Sequence, residues 1–234
     1  MVSIARLQEE TDELTREAMR GPEYQAYITL PITRPRAQLV ILQMGLFIRN
    51  RRDCWAAMSG NCPLDVKRVI LLHEYEELVK DRFVEGGHYL LVTQQAKTVG
   101  LTKDEVDRAV PFPTTRAAIY GWLRIAKDWP WLEGFAASAV LEKVPDDRVH
   151  GGRGDATVSG EQWIKGLGVT WDDIPHWNVH RVADEEHTDM TSEVLERYVR
   201  SDTDYQRVIE ASRASLDLYR AYWLGVAHAM AALP

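Results

Sequence analysis

The sequence predicts an all-α helical bundle of seven to nine helices, built as a single domain over residues 1–234. Three observations carry that prediction. Apolar residues recur at helical spacing in nearly every segment between Gly and Pro breaks. No stretch of useful length alternates apolar and polar residues as a half-buried strand does. The chain has 234 residues of which 45% are apolar, enough to enclose a large core, and it contains no internal repeat or low-complexity tract.

Taken in order, residues 3–19 carry Ile4, Leu7, Leu14 and Met19 among charges, with Ser3 as the capping residue. Gly21-Pro22 ends that helix, and residues 23–30 with Pro31 and Pro35 read as an irregular bridge. Arg36–Met58 is strongly apolar and is expected to be buried; Ser59–Pro63 breaks it. A third helix runs from Leu64 to about Asp81. Gly86-Gly87 interrupts, and His88 opens an apolar helix that ends near Gly100. Thr102 and Glu105 have the spacing of a capping box. Thr114 or Thr115 caps a helix through Lys127, and Pro130 separates it from a helix over residues 131–144. Residues 145–160 hold four glycines and read as the longest loop, a candidate lid. A short helix over 163–167, a helix running toward Arg200 and a last helix over about 202–231 complete the chain.

Composition excludes several function classes. The net charge is −7 with no basic stripe, which argues against a nucleic-acid partner. No apolar run reaches about 18 residues, so no membrane partner is expected. The amphipathic, acidic N-terminus is unlike a signal peptide, and a cytoplasmic location is expected. Cys54 and Cys62 fit that compartment as reduced thiols, although a disulfide between them depends on their geometry.

The informative stretch is His180-Arg-Val-Ala-Asp184-Glu-Glu-His187. At about 100° per residue, positions i+4 and i+7 differ from position i by only roughly 40° and 20° on a helix, so two imidazoles and a carboxylate leave one face. Such a set of nitrogen and oxygen donors suits non-haem iron, manganese or zinc. The competing reading is a polar helix face. Three further places put ionisable residues on apolar helices. Glu74, Glu77 and Asp81 share one face, with His73 four residues before Glu77; a solvated acidic face is the alternative. His88 follows two glycines, which suits a ligand on closely packed backbone as well as a surface histidine. Glu142 stands near the end of an Ala-rich helix, either exposed or held inside. Together Glu77, His88, Glu142, His180, Asp184 and His187 supply three carboxylates and three imidazoles, about what two carboxylate-bridged metals in a bundle require.

These motifs, read with CPLDV, HEYEELVKD, EGGH before YLLV, TVGLTKDEV, WLEGFAASAVLEKVP and HRVADEEH in that order, resemble the haem-oxygenase-like di-iron oxidases and oxygenases, relatives of pyrroloquinoline quinone synthase C and TenA-type proteins. The resemblance spans about Tyr24 to Met230. It implies a haem-oxygenase-like bundle and a metal set of Glu, His, Glu and HxxxDxxH, matched here by His88, Glu142, His180, Asp184 and His187. Glu77, Asp81 and Glu85 compete for the first carboxylate, with Glu77 favoured because it sits within a helix. The implied cofactors are two ferrous ions, or manganese, with O₂ as co-substrate. The implied activity is an O₂-dependent oxidoreductase acting on a small amine, an amino-acid-like or a fatty-acid-like molecule, by N-oxygenation or oxidative C–C cleavage, in specialised metabolism. The partner expected is a small-molecule substrate, and relatives of this kind often form homodimers. TenA-type thiaminases rely on a cysteine, and neither Cys54 nor Cys62 lies in such a motif. Arg148, Arg153 and Arg181 are candidates to hold a substrate carboxylate, and Tyr75 and Tyr120 to stand near the metals, against surface and core roles respectively. Other readings are a metal-free quinone-synthase-like oxidase, a non-catalytic helical binding protein and a single-zinc hydrolase.

Overall fold

A computed structural model describes residues 3–80 and 82–234, apart from the side chains of Ala183 and Asp184. Among the described residues there are eleven α-helices and one 3-10 turn, and the only strand-like feature is an isolated bridge between Lys80 and Glu85. The helices are α1 (Ile4–Arg20), α2 (Pro22–Ile28), α3 (Arg34–Ser59), α4 (Leu64–Leu78), α5 (His88–Thr98), α6 (Lys103–Asp107), α7 (Pro113–Asp128), α8 (Trp131–Glu142), α9 (Asp155–Leu167), α10 (Pro175–Tyr198) and α11 (Asp202–Ala231). The count exceeds the predicted seven to nine in part because of α2. Pro22 starts α2 rather than ending structure, because its fixed φ and missing N–H suit a first helical turn. The helix expected at 163–167 begins eight residues earlier, at Asp155.

Local chemistry accounts for several ends. Ser3 accepts from the Arg6 N–H at the start of α1. Thr102 and Glu105 form the expected capping box on α6, and Ser201 and Asp204 form another on α11. The start of α7 differs from expectation: Phe112 is its capping residue and Pro113 its first residue, with no hydroxyl cap.

The reading of 145–160 as a lid is also revised. Asp147 ties the turns together: its carboxylate accepts from Gly154 N–H at 2.7 Å and from Thr157 at 2.8 Å. Its carbonyl accepts from Gly152 N–H at 2.7 Å. The segment is packed on itself.

The long helix α11 packs on α8, α7 and α2, and α3 crosses α7, α5 and α4. Helix α10 lies against α9, α5, α8 and α4. Four helices, α4, α5, α8 and α10, therefore converge on one region. Helix α4 has an unusual polarity. Val66, Ile70, His73 and Glu77 form its buried stripe, while Leu71, Leu72, Tyr75 and Leu78 are exposed on the far side. Among the described residues no helix is long and apolar enough to cross a membrane.

Candidate metal centre

The buried stripe of α4 follows a helical spacing in which two apolar residues are succeeded by His73 and Glu77. Both of these side chains point into the bundle. Glu77 is 5% exposed, so the expectation of a solvated acidic face fails for it. Helix α5 brings His88 against it: His88 Nδ1 stands 3.1 Å from Glu77 Oε1. That approach depends on Gly87, whose φ is +75° and where a Cβ would lie 2.5 Å from the Glu77 carbonyl oxygen. Helix α8 contributes Glu142, and α10 contributes His180 and His187 one above the other.

Two groups of donor atoms form around Glu77. His73, Glu77 and His187 offer atoms within 4.8 Å of one another, and so do Glu77, His88 and His180. Glu77 belongs to both groups, as a carboxylate shared between two metal ions would. Glu142 adjoins the first, with Oε1 3.4 Å from His73 Nε2. Of the expected ligands, Glu77, His88, Glu142, His180 and His187 are thus brought together. Asp184 falls on α10 between the two histidines, but its side chain lies outside the described residues, as does the whole of Asp81. Glu85 is at the surface, paired with Lys80 at 2.6 Å, and takes no part.

Sequence reasoning did not include His73 in the set. Its signal was present, because His73 and Glu77 continue the spacing of Val66 and Ile70. It also passed over His176, which is buried one turn before His180 with ring centroids 4.1 Å apart.

Three of the histidines are oriented by an acceptor on one ring nitrogen. His73 Nδ1 meets Glu74 at 3.1 Å, His187 Nε2 meets Glu76 at 3.1 Å, and His180 Nδ1 meets the His176 carbonyl at 2.8 Å. Such contacts fix the ring and tautomer and turn the other nitrogen toward the grouped donors. His73 Nε2 is buried and its contact with Glu142 Oε1, at 3.4 Å, falls short of a well-formed hydrogen bond, so this nitrogen is placed to coordinate a metal together with that carboxylate. A donor set of buried imidazoles and carboxylates oriented in this way fits iron.

Electrostatics keep the carboxylates charged without a metal. Burial pushes Glu77 up, but Arg52, whose guanidinium is 2.9 Å away, and then His88 bring it well below the usual carboxylate range. Burial likewise raises Glu142, and Arg51 followed by His73 pull it below that range. Arg51 also donates to the Ser138 carbonyl at 2.9 Å. His180 is pushed down to about 4 by burial and then by His88. Burial opposes charge on His187, yet its bond to Glu76 and the charges of Glu77 and Glu142 raise it to about 8.

The other sequence candidates do not join the centre. Arg148 is held by Asp146 and Asp189, Arg153 by Glu161, and Arg181 lies over the Trp171 ring 4.5 Å from its centroid. Tyr75 and Tyr120 are exposed, unlike the buried donors of the candidate centre. Both cysteines are free and buried, and burial pushes the Cys54 thiol up to about 11, the opposite of an activated nucleophile.

The family model for iron-containing redox enzymes of the haem-oxygenase type matches residues 41–220. The chain belongs to that family. No curated protein matches this member of the iron-containing redox enzymes by sequence. Solved structures share its fold. A domain of unknown function with a haem-oxygenase-like fold from Shewanella denitrificans OS217 superposes with a TM-score of 0.77 at 15% identity, covering 97% of this chain and 92% of that one. A CADD-like protein of unknown function from Nostoc punctiforme PCC 73102 gives 0.73 at 13% identity, covering 97% and 96%. A TenA homologue from P. horikoshii OT3 gives 0.64 at 13%, covering 97% and 99%. At these identities the likeness concerns the haem-oxygenase-like fold.

Proposed function

We propose that this family member is a di-iron oxidase or oxygenase that uses O₂ to oxidise a small organic substrate, by N-oxygenation or oxidative cleavage. The observation that supports this best is the place of Glu77, buried and common to two groups of donors on four helices. His73, Glu77, His88, Glu142, His180 and His187 would hold the metals, with Asp184 completing the HxxxDxxH set. Bound iron supplies redox chemistry toward O₂ that no side chain here can perform.

The chain's own residues do the rest. Glu74, Glu76 and the His176 carbonyl orient three imidazoles. Arg51 and Arg52 keep Glu142 and Glu77 ionised, so the acceptors are ready for a cation. A cavity of about 90 Å³ adjoins the centre; Glu77, Glu142 and His180 line it, and Met44, Phe47 and Trp177 are among its apolar walls. Apolar walls exclude water and limit side reactions of an oxidised substrate.

The same arginine pairs favour a second reading, a metal-free oxidase in which Arg51 and Arg52 replace the metals as counter-charges. Oxygen uptake separates the two. Protein loaded anaerobically with ferrous iron is mixed with O₂ and a panel of amines, amino acids and fatty acids. The di-iron reading expects iron-dependent O₂ consumption accelerated by one class of compound. Consumption that proceeds equally in iron-free protein would transfer the assignment to the metal-free reading.

A further inference from the structure

The cavity beside the metal centre is also lined by a second polar group that the centre does not use. Asp155, the first residue of α9, lines it together with Tyr219 and Tyr222 of α11. Asp155 is 8% exposed. Its hydrogen-bond partners among the described residues are three hydroxyls. Tyr24 donates to Oδ1 at 2.6 Å, Ser159 to Oδ1 at 2.9 Å and Tyr219 to Oδ2 at 3.0 Å. A carboxylate offers about four acceptor sites, so one remains on Oδ2.

The charges around the cavity are not distributed evenly. Arg51 and Arg52 are paired with Glu142 and Glu77 at the metal centre. Among the described residues Asp155 pairs with hydroxyls and with no cation, and burial pushes its carboxyl above the usual range despite them. A buried carboxylate without a counter-charge is costly, and a cationic ligand removes that cost. Rings surround the same spot. Tyr24 stacks on Tyr219 at 6.2 Å and meets Trp223 edge-on at 5.9 Å, while Tyr222 meets Trp223 at 5.0 Å. Tyr222 Oη is buried and has no hydrogen-bond partner.

We infer that Asp155, Tyr219 and Tyr222 form an ammonium-binding part of the substrate cavity, which holds a small primary amine with its apolar body turned toward the metal centre, a pose that presents carbon for oxidative cleavage and not nitrogen for N-oxygenation. The inference rests on the proposed function for the meaning of "substrate", but the binding itself needs no iron. An ammonium group brings three donors and a full charge. Asp155 Oδ2 and Tyr222 Oη accept two of the donors, and the ring faces favour the charge. The volume of about 90 Å³ sets the size. A cavity of about 150 Å³ takes benzene, so this one takes a molecule smaller than benzene. The same charge pattern disfavours a carboxylate beside Asp155, which argues against fatty acids bound by their head group there.

The test uses n-butylammonium, 1-butanol and butyrate as four-carbon probes that differ in their head group, with binding measured by calorimetry on the full chain in iron-free and iron-loaded forms. The expected result is that butylammonium binds at least about tenfold more tightly than butanol, and butyrate more weakly still. Asp155→Asn is expected to lose at least about tenfold in butylammonium affinity without change for butanol, and to take up iron as the parent does. Tyr222→Phe is expected to weaken butylammonium several-fold with a normal melting profile. Equal binding of butanol, preference for butyrate, no binding of butylammonium at millimolar concentration, or an unchanged preference in a folded Asp155→Asn would overturn the inference. If Asp155→Asn does not fold, the probe series on the parent and the Tyr222 variant decide. Selective amine binding without iron uptake would leave this site standing and remove the di-iron reading. Iron uptake without amine selectivity would do the reverse.

Discussion

Gln95 Oε1 accepts a hydrogen bond from the backbone N–H of His176 at 3.1 Å, and another from Trp177 at 3.4 Å. Gln95 is fully buried on α5, seven residues after His88, so the same helix face supplies a donor to the centre and the cap of α10. The first N–H groups of a helix have no partner within it, and here a side chain from another helix provides one. Through this contact the register of α10, and with it His180 and His187, is set by α5.

Gln95→Leu keeps the volume but leaves two buried N–H groups unsatisfied. It is expected to cost about 1–3 kcal/mol and to weaken iron uptake although no ligand is altered. Thermal melts and ferrous titration of the variant check both effects. A variant with a lowered melting point and unchanged iron affinity would show that Gln95 serves stability alone.

Gly87→Ala is expected to disturb the centre from the backbone side. The residue has a left-handed φ, and its Cβ would meet Glu77 and Leu78 backbone atoms at 2.5–2.7 Å. Main chain cannot move aside as a side chain can, so the loss is expected to be at least about 2 kcal/mol, with iron stoichiometry reduced. Gly151→Ala is the comparison: its φ is also positive, but no atom lies within 4 Å of the added Cβ.

Arg51→Leu removes the counter-charge of a buried carboxylate. The iron-free protein is expected to lose about 3 kcal/mol, because Glu142 is left uncompensated. Iron restores a positive charge beside Glu142, so part of that loss should be recovered on loading. Differential scanning calorimetry with and without ferrous iron measures the recovery; an equal loss in both forms would place Glu142 outside the metal centre.

The pH dependence of the iron-free protein follows from two histidines with opposite shifts. His187 is raised to about 8 in the fold, so as pH falls from about 8 toward 6.5 the folded chain takes up a proton before the unfolded chain does, and stability rises. His180 is lowered to about 4, and His176 is lowered well below its ordinary value by burial and then by His180. Below about 6.5 the unfolded chain therefore binds protons that these two reject, and stability falls toward pH 4. Melting temperature in a chelating buffer is expected to peak near pH 6.5. His187→Ala should flatten the limb above the peak and leave the acid limb; an unchanged upper limb would refute the assigned cause.

Much of the fold was legible because helix signals here are local. The capping residues Ser3, Thr102 and Glu105 act within one turn, and the structure retains them. Helix α2 was missed, and the first two turns of α9 were read as loop, where a proline or a glycine-rich run suggests a break, yet Pro22 suits a first turn and Asp155 starts a helix directly after Gly154. The metal centre was legible on α10, where HxxxDxxH shows its face without help from other helices. On α4 it was obscured. The run VILLHEYEEL reads as apolar core followed by acidic surface, whereas Leu71 and Leu72 face outward and His73 and Glu77 inward. Which face of α4 is buried is decided by its packing on α3, α5 and α10, and that information is not local. Asp155 was hidden for a different reason. Its importance comes from Tyr24, Ser159 and Tyr219, two of them more than 60 residues away.

The central claim is that Glu77 is shared by two metal ions. Anaerobic ferrous titration of the parent, Glu77→Ala and Glu85→Ala tests it most directly. About two irons per chain are expected in the parent and in Glu85→Ala, and loss of both irons together in Glu77→Ala. Two irons retained in a folded Glu77→Ala, or fewer than two in the parent, would contradict it.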